Sequence, residues 1–206
     1  MTPEQILAQG SAQLGLELAP EIRQKMLGYL ALLQKWNKVY NLTAISQPEQ
    51  MVTHHLLDSL AVLPHLWPRR WLDAGCGAGV PGLVLAMMRP EWSFTLLDSN
   101  SKKTSFVQQA AIELELSNVS VYCARVEKWQ PTGEFDGIIS RAFTQLSSFT
   151  ALTHHLLANG GRWAAMKAAL SQELEELPAN VEIEKIVQLQ VPGMDAQRCL
   201  VILKTT

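Results

Sequence analysis

Apolar side chains recur at helical spacing through the first third of the chain and then give way to short apolar runs. Ile22, Met26, Leu30 and Leu33 repeat every three or four positions, and Leu27 and Trp36 widen the stripe, which predicts an amphipathic helix. Ahead of it, Thr2-Pro3-Glu4-Gln5 has the form of a capping box with proline at the first helical position, and Ser46-Gln47-Pro48-Glu49 repeats the device. Residues 1–65 are therefore expected to hold three helices. Pro64 and Pro68 mark the break after them.

Beyond the break, Arg70–Asp73, Phe94–Asp98, Val119–Cys123, Phe135–Ser140 and Trp163–Met166 read as strands. Helices are expected between them, near 81–88, 101–116, 145–158 and 170–177. Such alternation calls for a parallel sheet covered on both faces. Val181–Val191 and Arg198–Lys204 are joined through Pro192-Gly193 with no helix between them, so they are expected to form an antiparallel hairpin at the sheet edge. The division this implies is a helical region, 1–65, packed on an α/β core, 66–206.

Composition narrows the class only modestly. With 206 residues, 48 % of them hydrophobic and 17 % charged, the chain can build one core with a small appendage. No apolar run reaches the roughly 18 residues of a membrane span, and MTPEQILAQG lacks the basic-then-apolar pattern of a secretion signal, so a cytoplasmic protein without a membrane partner is expected. Cys76, Cys123 and Cys199 have neither the number nor the spacing of a disulfide framework or zinc cage; they read as buried or half-buried thiols, and no metal site is expected. A net charge of -2 argues against indiscriminate binding to phosphate backbones and leaves room for a local basic face.

The chemistry concentrates in WLDAGCGAGVPG, residues 71–82. Read from Gly77 it is a G-x-G-x-x-G loop (Gly77, Gly79, Gly82) with Asp98 some twenty residues on, the form of a dinucleotide fingerprint. Three details turn the reading away from a pyrophosphate. Asp73 at the strand end opposes a phosphate and favours a cation. Gly75 adds a glycine ahead of the fingerprint, and Pro81 removes an N–H from the helix start that an anion would use. S-adenosylmethionine suits these features: its sulfonium and ammonium match Asp73, its ribose hydroxyls match a strand-end carboxylate such as Asp98, and it carries no phosphate. A ligand-free glycine turn is the plain alternative. Cys76 reads as a small filler rather than a nucleophile.

Over residues 32–204 the chain resembles a known family. The segments that carry the likeness are LLQKWNKVYNLTA (32–44), HHLLDSLAV (54–62), LDAGCGAGVPGLVLA (72–86), FTLLDSNSKKTSF (94–106), ARVEKW (124–129), FDGIISRAF (135–143), AMK (165–167) and LQVPGMDAQRCLVILK (189–204). In their order and spacing they resemble the bacterial 16S ribosomal RNA (guanine-N7) methyltransferase G family, also called glucose-inhibited division protein B. The resemblance implies a class I S-adenosylmethionine-dependent methyltransferase fold, Rossmann-like, with a mostly parallel seven-stranded sheet, helices on both faces and a helical N-terminal extension. It implies methyl transfer to N7 of guanosine 527 in 16S rRNA, free or in a small-subunit precursor, with S-adenosyl-L-homocysteine as coproduct and no obligate protein partner. By the family pattern Gly75 and Val80 lie in the cofactor loop with Asp73, Gly77 and Gly79, Asp98 holds the ribose, and Val126 and Glu127 face the adenosine. Arg141 stands near both methyl donor and base, and Arg141, Lys167 and Arg198 are implied at the reaction centre. With Arg125 they are also the basic positions around the RNA. Cys76 stands where the family usually has threonine or serine, His54 where a basic residue is frequent, and Ala168 where glycine is common.

The chemistry agrees with this assignment. Guanine N7 carries a lone pair and no hydrogen, so the enzyme needs aim rather than a base. Ser140-Arg141-Ala142-Phe143 stands where exocyclic-amine enzymes carry N-P-P-Y or D-P-P-Y, and no Pro-Cys pair offers the covalent route to a pyrimidine, which leaves Cys123 without a nucleophilic role. Arg141 can hold a phosphate or a guanine edge, or form a structural ion pair with a carboxylate such as Asp73 or Glu127. His55 and Asp58, three positions apart, are a metal or acid-base pair or, the reading preferred, a tie between helical region and sheet. Trp36 and Tyr40 stack on bases or belong to the core, His154-His155 read as half-solvated structural residues, and Lys102-Lys103 as a wet helix face. Two other classes stand beside the methyltransferase: a nicotinamide-dependent oxidoreductase, resting on Gly77 and Asp98, and a noncatalytic RNA-binding module with a cofactor pocket.

Overall fold

Strands β1 (Arg70–Ala74), β2 (Ser93–Asp98), β3 (Val119–Cys123), β4 (Phe135–Arg141), β5 (Leu157–Lys167), β6 (Val181–Leu189) and β7 (Arg198–Thr205) form one sheet in a computed structural model that describes residues 1–67, 69–141, 145–168 and 176–206. Their order is β3-β2-β1-β4-β5-β7-β6. The first five run parallel; β7 lies antiparallel between β5 and β6, the edge hairpin expected from Pro192-Gly193. The central strands read as continuous apolar runs because both of their faces are covered. In β1, Trp71 joins the apolar cluster on one face and its neighbour Leu72 the cluster on the other.

The helices are α1 (Pro3–Gln13), α2 (Pro20–Tyr40), α3 (Pro48–Met51), α4 (Asp58–Leu60), α5 (Gly82–Met88), α6 (Ser101–Glu113) and α7 (Leu146–Thr153). Residues Val52–Leu57 join α3 to α4 as a π-helical stretch, so the third expected helix is one interrupted rod. π-helical turns are rare and gather at functional sites. The Thr2 capping box forms as expected, with both reciprocal hydrogen bonds to Gln5. The second box does not. α3 starts at Pro48, which makes Gln47 the capping residue and leaves Ser46 one position too far out.

A second difference lies between α7 and β5. The helix expected over 145–158 ends at Thr153, a 3₁₀ turn covers His154–Leu156, and β5 already begins at Leu157. Gly160 and Gly161 hide the strand in the sequence. They sit where the β4–β5 register shifts between the pairs Phe135–Leu157 and Gly137–Arg162, and Gly160 has φ 75. A glycine pair inside a strand marks such an irregularity as readily as a turn. The helix expected at 170–177 lies largely outside the described residues.

Leu7, Met26, Leu33, Leu56 and Leu60 of the helical region belong to the same buried cluster as Val84, Phe94 and Phe106 of the α/β core. The N-terminal helices thus complete one face of the sheet. No helix among the described residues is long and apolar enough to cross a membrane.

Candidate active site

The site residues expected from the sequence gather at the edge of the sheet where the parallel strands end. Asp73 is the penultimate residue of β1, Asp98 closes β2, Arg141 β4 and Lys167 β5; Arg198 opens the antiparallel β7 and so arrives at the same edge, beside Lys167. Strand order reverses between β1 and β4, and open α/β sheets bind ligands at that crevice.

The glycine loop is tied down from below. Gly75 and Cys76 donate their N–H groups to the Leu97 carbonyl at 2.8 and 3.0 Å, and Gly77 donates to Asp98 Oδ2 at 3.0 Å. Asp98 Oδ1 accepts from Asn100 N at 2.8 Å, which fixes the carboxylate at the cleft. Gly75, Gly77 and Gly79 have φ of 71, 56 and 87, a region L side chains seldom adopt. Gly82 answers a different need: its N–H reaches Asp73 Oδ2 at 2.8 Å, and a Cβ there would stand 2.7 Å from that oxygen. The first N–H of α5 is therefore already taken by a carboxylate, which weighs against a pyrophosphate at this helix start.

Asp73 is fully buried, and among the described residues its Oδ1 has no hydrogen-bond partner. Burial raises its carboxyl from the ordinary 3.8 to about 7; the Gly82 hydrogen bond and the Arg141 charge oppose the rise, and Asp98 adds to it. Burial also pushes the Cys76 thiol up, in keeping with its reading as a filler. One residue of this region escapes the sequence reading. Tyr29 of α2 is buried, and its hydroxyl donates to the Ala78 carbonyl of the loop at 2.9 Å. The available signal was a tyrosine inside the Met26–Leu33 apolar stripe, whose hydroxyl needs a buried acceptor.

Two cavities open at this edge of the sheet, one of them against the loop. The smaller, about 180 Å³, is lined by Gly75, Leu97, Asp98, Val126 and Glu127, with Arg125 at its rim. Arg125 and Glu127 face each other at 3.9 Å. The larger, about 390 Å³, is lined by Thr43, His55, Asp58, Arg141, Lys167 and Arg198. Of the four basic residues expected around RNA, three meet in this pocket and Arg125 stands apart at the smaller one.

Arg141 has an ion-pair partner other than the two considered. Its Nη1 donates to Asp58 Oδ2 at 3.1 Å and to the His54 carbonyl, while Nη2 lies 3.5 Å from His55 Nδ1. Arg198 Nε donates to the other Asp58 oxygen at 3.0 Å. Asp58 and His55 thus tie the interrupted helix to the sheet, the second of their two readings. Burial, reinforced by Arg141 and His54, lowers the His55 imidazole to about 4. His55 Nε2 is 3.3 Å from Thr43 Oγ1.

Residues outside the two cavities sort as follows. Cys76 and Cys199 are buried, but Cys123 is exposed, against expectation, because β3 is an edge strand. His154 and His155 are exposed rather than half-solvated, since the chain leaves the helix for a 3₁₀ turn before reaching them. Lys102 is exposed as expected of a wet face, and Lys103 is half-buried. Trp36 is half-buried against Phe106, with Tyr40 stacked outside it at 5.3 Å.

The family model described as rRNA small subunit methyltransferase G matches residues 22–201. The chain belongs to this family. It is 48 % identical over 204 residues to the Ribosomal RNA small subunit methyltransferase G of Laribacter hongkongensis, covering 98 % of this chain and 99 % of that protein. To the protein of the same name from Methylobacillus flagellatus it is 52 % identical over 201 residues, 97 % of each. Among solved structures, the fold is similar to the N-methyltransferase NodS of Bradyrhizobium japonicum in complex with S-adenosyl-L-homocysteine, with TM-score 0.57 and 16 % identity over 86 % of this chain and 97 % of that one. TrmN from Thermus thermophilus gives TM-score 0.58 at 19 % identity over 72 % and 48 %. Methyltransferase G family members therefore share, in this chain, the class I S-adenosylmethionine-dependent methyltransferase architecture. The α2 to α4 region, which holds Tyr29, His55 and Asp58, falls inside the family match.

Proposed function

We propose that this chain transfers a methyl group from S-adenosylmethionine to N7 of guanosine 527 in 16S rRNA, as free RNA or within a small-subunit precursor, in the cytoplasm and without an obligate protein partner. Family membership supports methylation of small-subunit rRNA. The observation that carries the finer reading is the pocket at Arg141: it gathers Arg141, Lys167 and Arg198 at the same sheet edge as the glycine loop, and its candidate proton acceptors are engaged.

The residues fit the cofactor. Asp73 offers a buried, unpartnered carboxylate oxygen beneath the loop, and a Cβ at Gly77 would project into open space. Gly75, Gly77, Gly79 and Val80 would line the cofactor, Asp98 would accept from the ribose hydroxyls, Val126 and Glu127 would flank the adenosine, and Asp73 would balance its positive charge. S-adenosylmethionine, when bound, supplies an electrophilic methyl group on sulfur. The chain's own residues hold the acceptor in line with it, and good alignment is worth up to roughly 7–11 kcal/mol of barrier.

Residues in the pocket match an acceptor that loses no proton before attack. His55 is held neutral by burial, and its imidazole, at about 4, is a weak base. Both oxygens of Asp58 face arginines. An exocyclic amine would need an acceptor for its proton; guanine N7 does not. Arg141 and Arg198 outweigh in charge the Asp58 they share, and with Lys167 they suit the phosphates and O6 edge of an RNA guanosine. Methylated N7 is cationic, so Arg141 serves as an orienting group rather than a contact to the reacting nitrogen.

Labelled methyl transfer from S-adenosylmethionine to small ribosomal subunits of a strain lacking this activity, followed by mapping of the modified nucleotide, tests the proposal. Label at N7 of guanosine 527 is expected, and Arg141→Ala should abolish transfer while leaving S-adenosylhomocysteine affinity within a few-fold. Label at another atom or nucleotide would overturn the N7 assignment. A salt titration checks the RNA face: three or four phosphate contacts give a log–log slope of about -2 to -4.

A further inference from the structure

Among the described residues Asp58 is the one carboxylate lining the larger pocket, and it holds both of the arginines there. Its side chain is 1 % exposed, at the first residue of α4, directly after the π-helical stretch. One oxygen takes Arg141 Nη1 and the other Arg198 Nε. The two guanidiniums are nevertheless used differently. Arg141 has both N–H groups of Nη1 engaged, on Asp58 and on the His54 carbonyl, with Nη2 3.5 Å from His55, so the protein holds its Nη end. Arg198 engages Asp58 through Nε alone; among the described residues its two Nη nitrogens make no hydrogen bond, and its side chain is 24 % exposed into the cavity. A guanidinium held along one edge presents the opposite edge, the pair of donors that matches a phosphate bidentately.

We propose that Asp58 is a positioning residue that divides the work of the two arginines, fixing Arg141 as a brace between helical region and sheet and aiming the outer edge of Arg198 at a phosphate of the RNA. The inference rests on the rRNA reading of the pocket and assigns the phosphate contact to Arg198 rather than to Arg141. A single carboxylate between two guanidiniums leaves the pair net positive, so the clamp orders the arginines without cancelling their attraction for a polyanion. Removing a shared acceptor frees both side chains at once, and effects transmitted through one partner do not add.

Equilibrium binding of the full chain to unmodified small ribosomal subunits, measured across a salt series, decides the matter. Arg198→Ala should weaken binding about tenfold at low salt and flatten the slope by about 0.7–0.9, the signature of one lost phosphate contact. Arg141→Ala should lower the melting temperature and leave the slope where it was. Asp58→Asn should reproduce the Arg198→Ala loss, raising KM for subunits more than it lowers kcat, and the Asp58→Asn/Arg198→Ala double variant should bind no worse than the poorer single one. S-adenosylhomocysteine affinity should stay within twofold in Asp58→Asn and Arg198→Ala. Equal slope changes in the two arginine variants, additive losses in the double variant, or cofactor affinity falling in step would each overturn the division of labour. If Asp58→Asn does not fold, the contrast between Arg141→Ala and Arg198→Ala decides alone. Wild-type protein that neither binds nor methylates subunits would instead remove the rRNA reading itself.

Discussion

Replacing Asp73 by asparagine should make the cofactor-free protein more stable at alkaline pH while weakening its hold on the cofactor. The carboxyl rises from an ordinary 3.8 to about 7 on folding, so the folded state binds a proton across that interval that the unfolded chain has released. The associated stability is fully present below pH 4 and is lost as pH climbs toward 7. A displacement of roughly three pH units, at about 1.4 kcal/mol each, amounts to about 4 kcal/mol. Asparagine is isosteric, and its Oδ1 can still accept from Gly82 N. Its NH₂ then occupies the place of the unpartnered oxygen, and an unsatisfied buried donor costs about 1–3 kcal/mol. A net gain of about 1–3 kcal/mol at pH 8 should remain, shrinking to nothing or reversing near pH 5.

Urea denaturation at pH 5 and pH 8 measures the first half of this expectation, and calorimetry with S-adenosylhomocysteine the second. The ammonium of the ligand favours the ionised carboxylate, so wild-type affinity should rise with pH between 6 and 8 and then level off, whereas the variant should bind weakly with little pH dependence. His55, at about 4, titrates below this window. An Asp73→Asn protein less stable than wild type at pH 8, together with a flat wild-type affinity profile, would refute both the ionised burial of Asp73 and its role toward the cofactor.

Three further substitutions probe the framework. Tyr29→Phe removes the donor to Ala78 from a buried setting and should cost about 1–3 kcal/mol in urea denaturation, with a measurable loss of S-adenosylhomocysteine affinity because the orphaned carbonyl belongs to the loop. Gly137→Ala places a Cβ 2.6 Å from the buried Trp71 ring and should destabilise by at least about 1–3 kcal/mol, seen as a fall in melting temperature. Asn118→Ala removes an amide nitrogen that reaches the carbonyls of Ala86, Arg89 and Trp92 after α5, at 3.1–3.2 Å, and should cost about 1–2 kcal/mol without altering cofactor affinity.

The fold was legible wherever burial on both faces writes itself as an uninterrupted apolar run, as in β1, β2 and β4. It was illegible where one residue type serves two geometries. Gly160-Gly161 reads as a turn yet lies within β5, and Ser46 has the chemistry of a cap but the wrong distance from Pro48. At the site, strand ends announced Asp73 and Asp98 because a carboxylate ending an apolar run has few structural reasons to be there, whereas Arg141 and Lys167 were legible only through the family resemblance. The partner of Arg141 could not be read in the same way. Asp58 lies 83 residues away, on a helix whose contact with the sheet is a property of packing, and the nearer carboxylates Asp73 and Glu127 were equally plausible on charge alone.

That distance explains why the helical region cannot be regarded as an appendage to the site. Parallel strands deliver residues to one edge of a sheet, but they leave the loops beyond that edge without a floor. Here α2 supplies one through Tyr29, which holds the glycine loop at Ala78, and the interrupted helix supplies another through His54 and Asp58, which hold Arg141. The Tyr29 brace is buried and the Arg141 brace is part-buried on the fully enclosed Asp58, so losing either leaves a desolvated acceptor unpaired rather than merely a surface contact. Ser140 Oγ donates to the Ala74 carbonyl at 2.8 Å, linking the ends of β1 and β4. Loop, arginine pocket and helical layer therefore hold their geometry together, and alignment of methyl donor and acceptor depends on the helical residues as directly as on the strand ends.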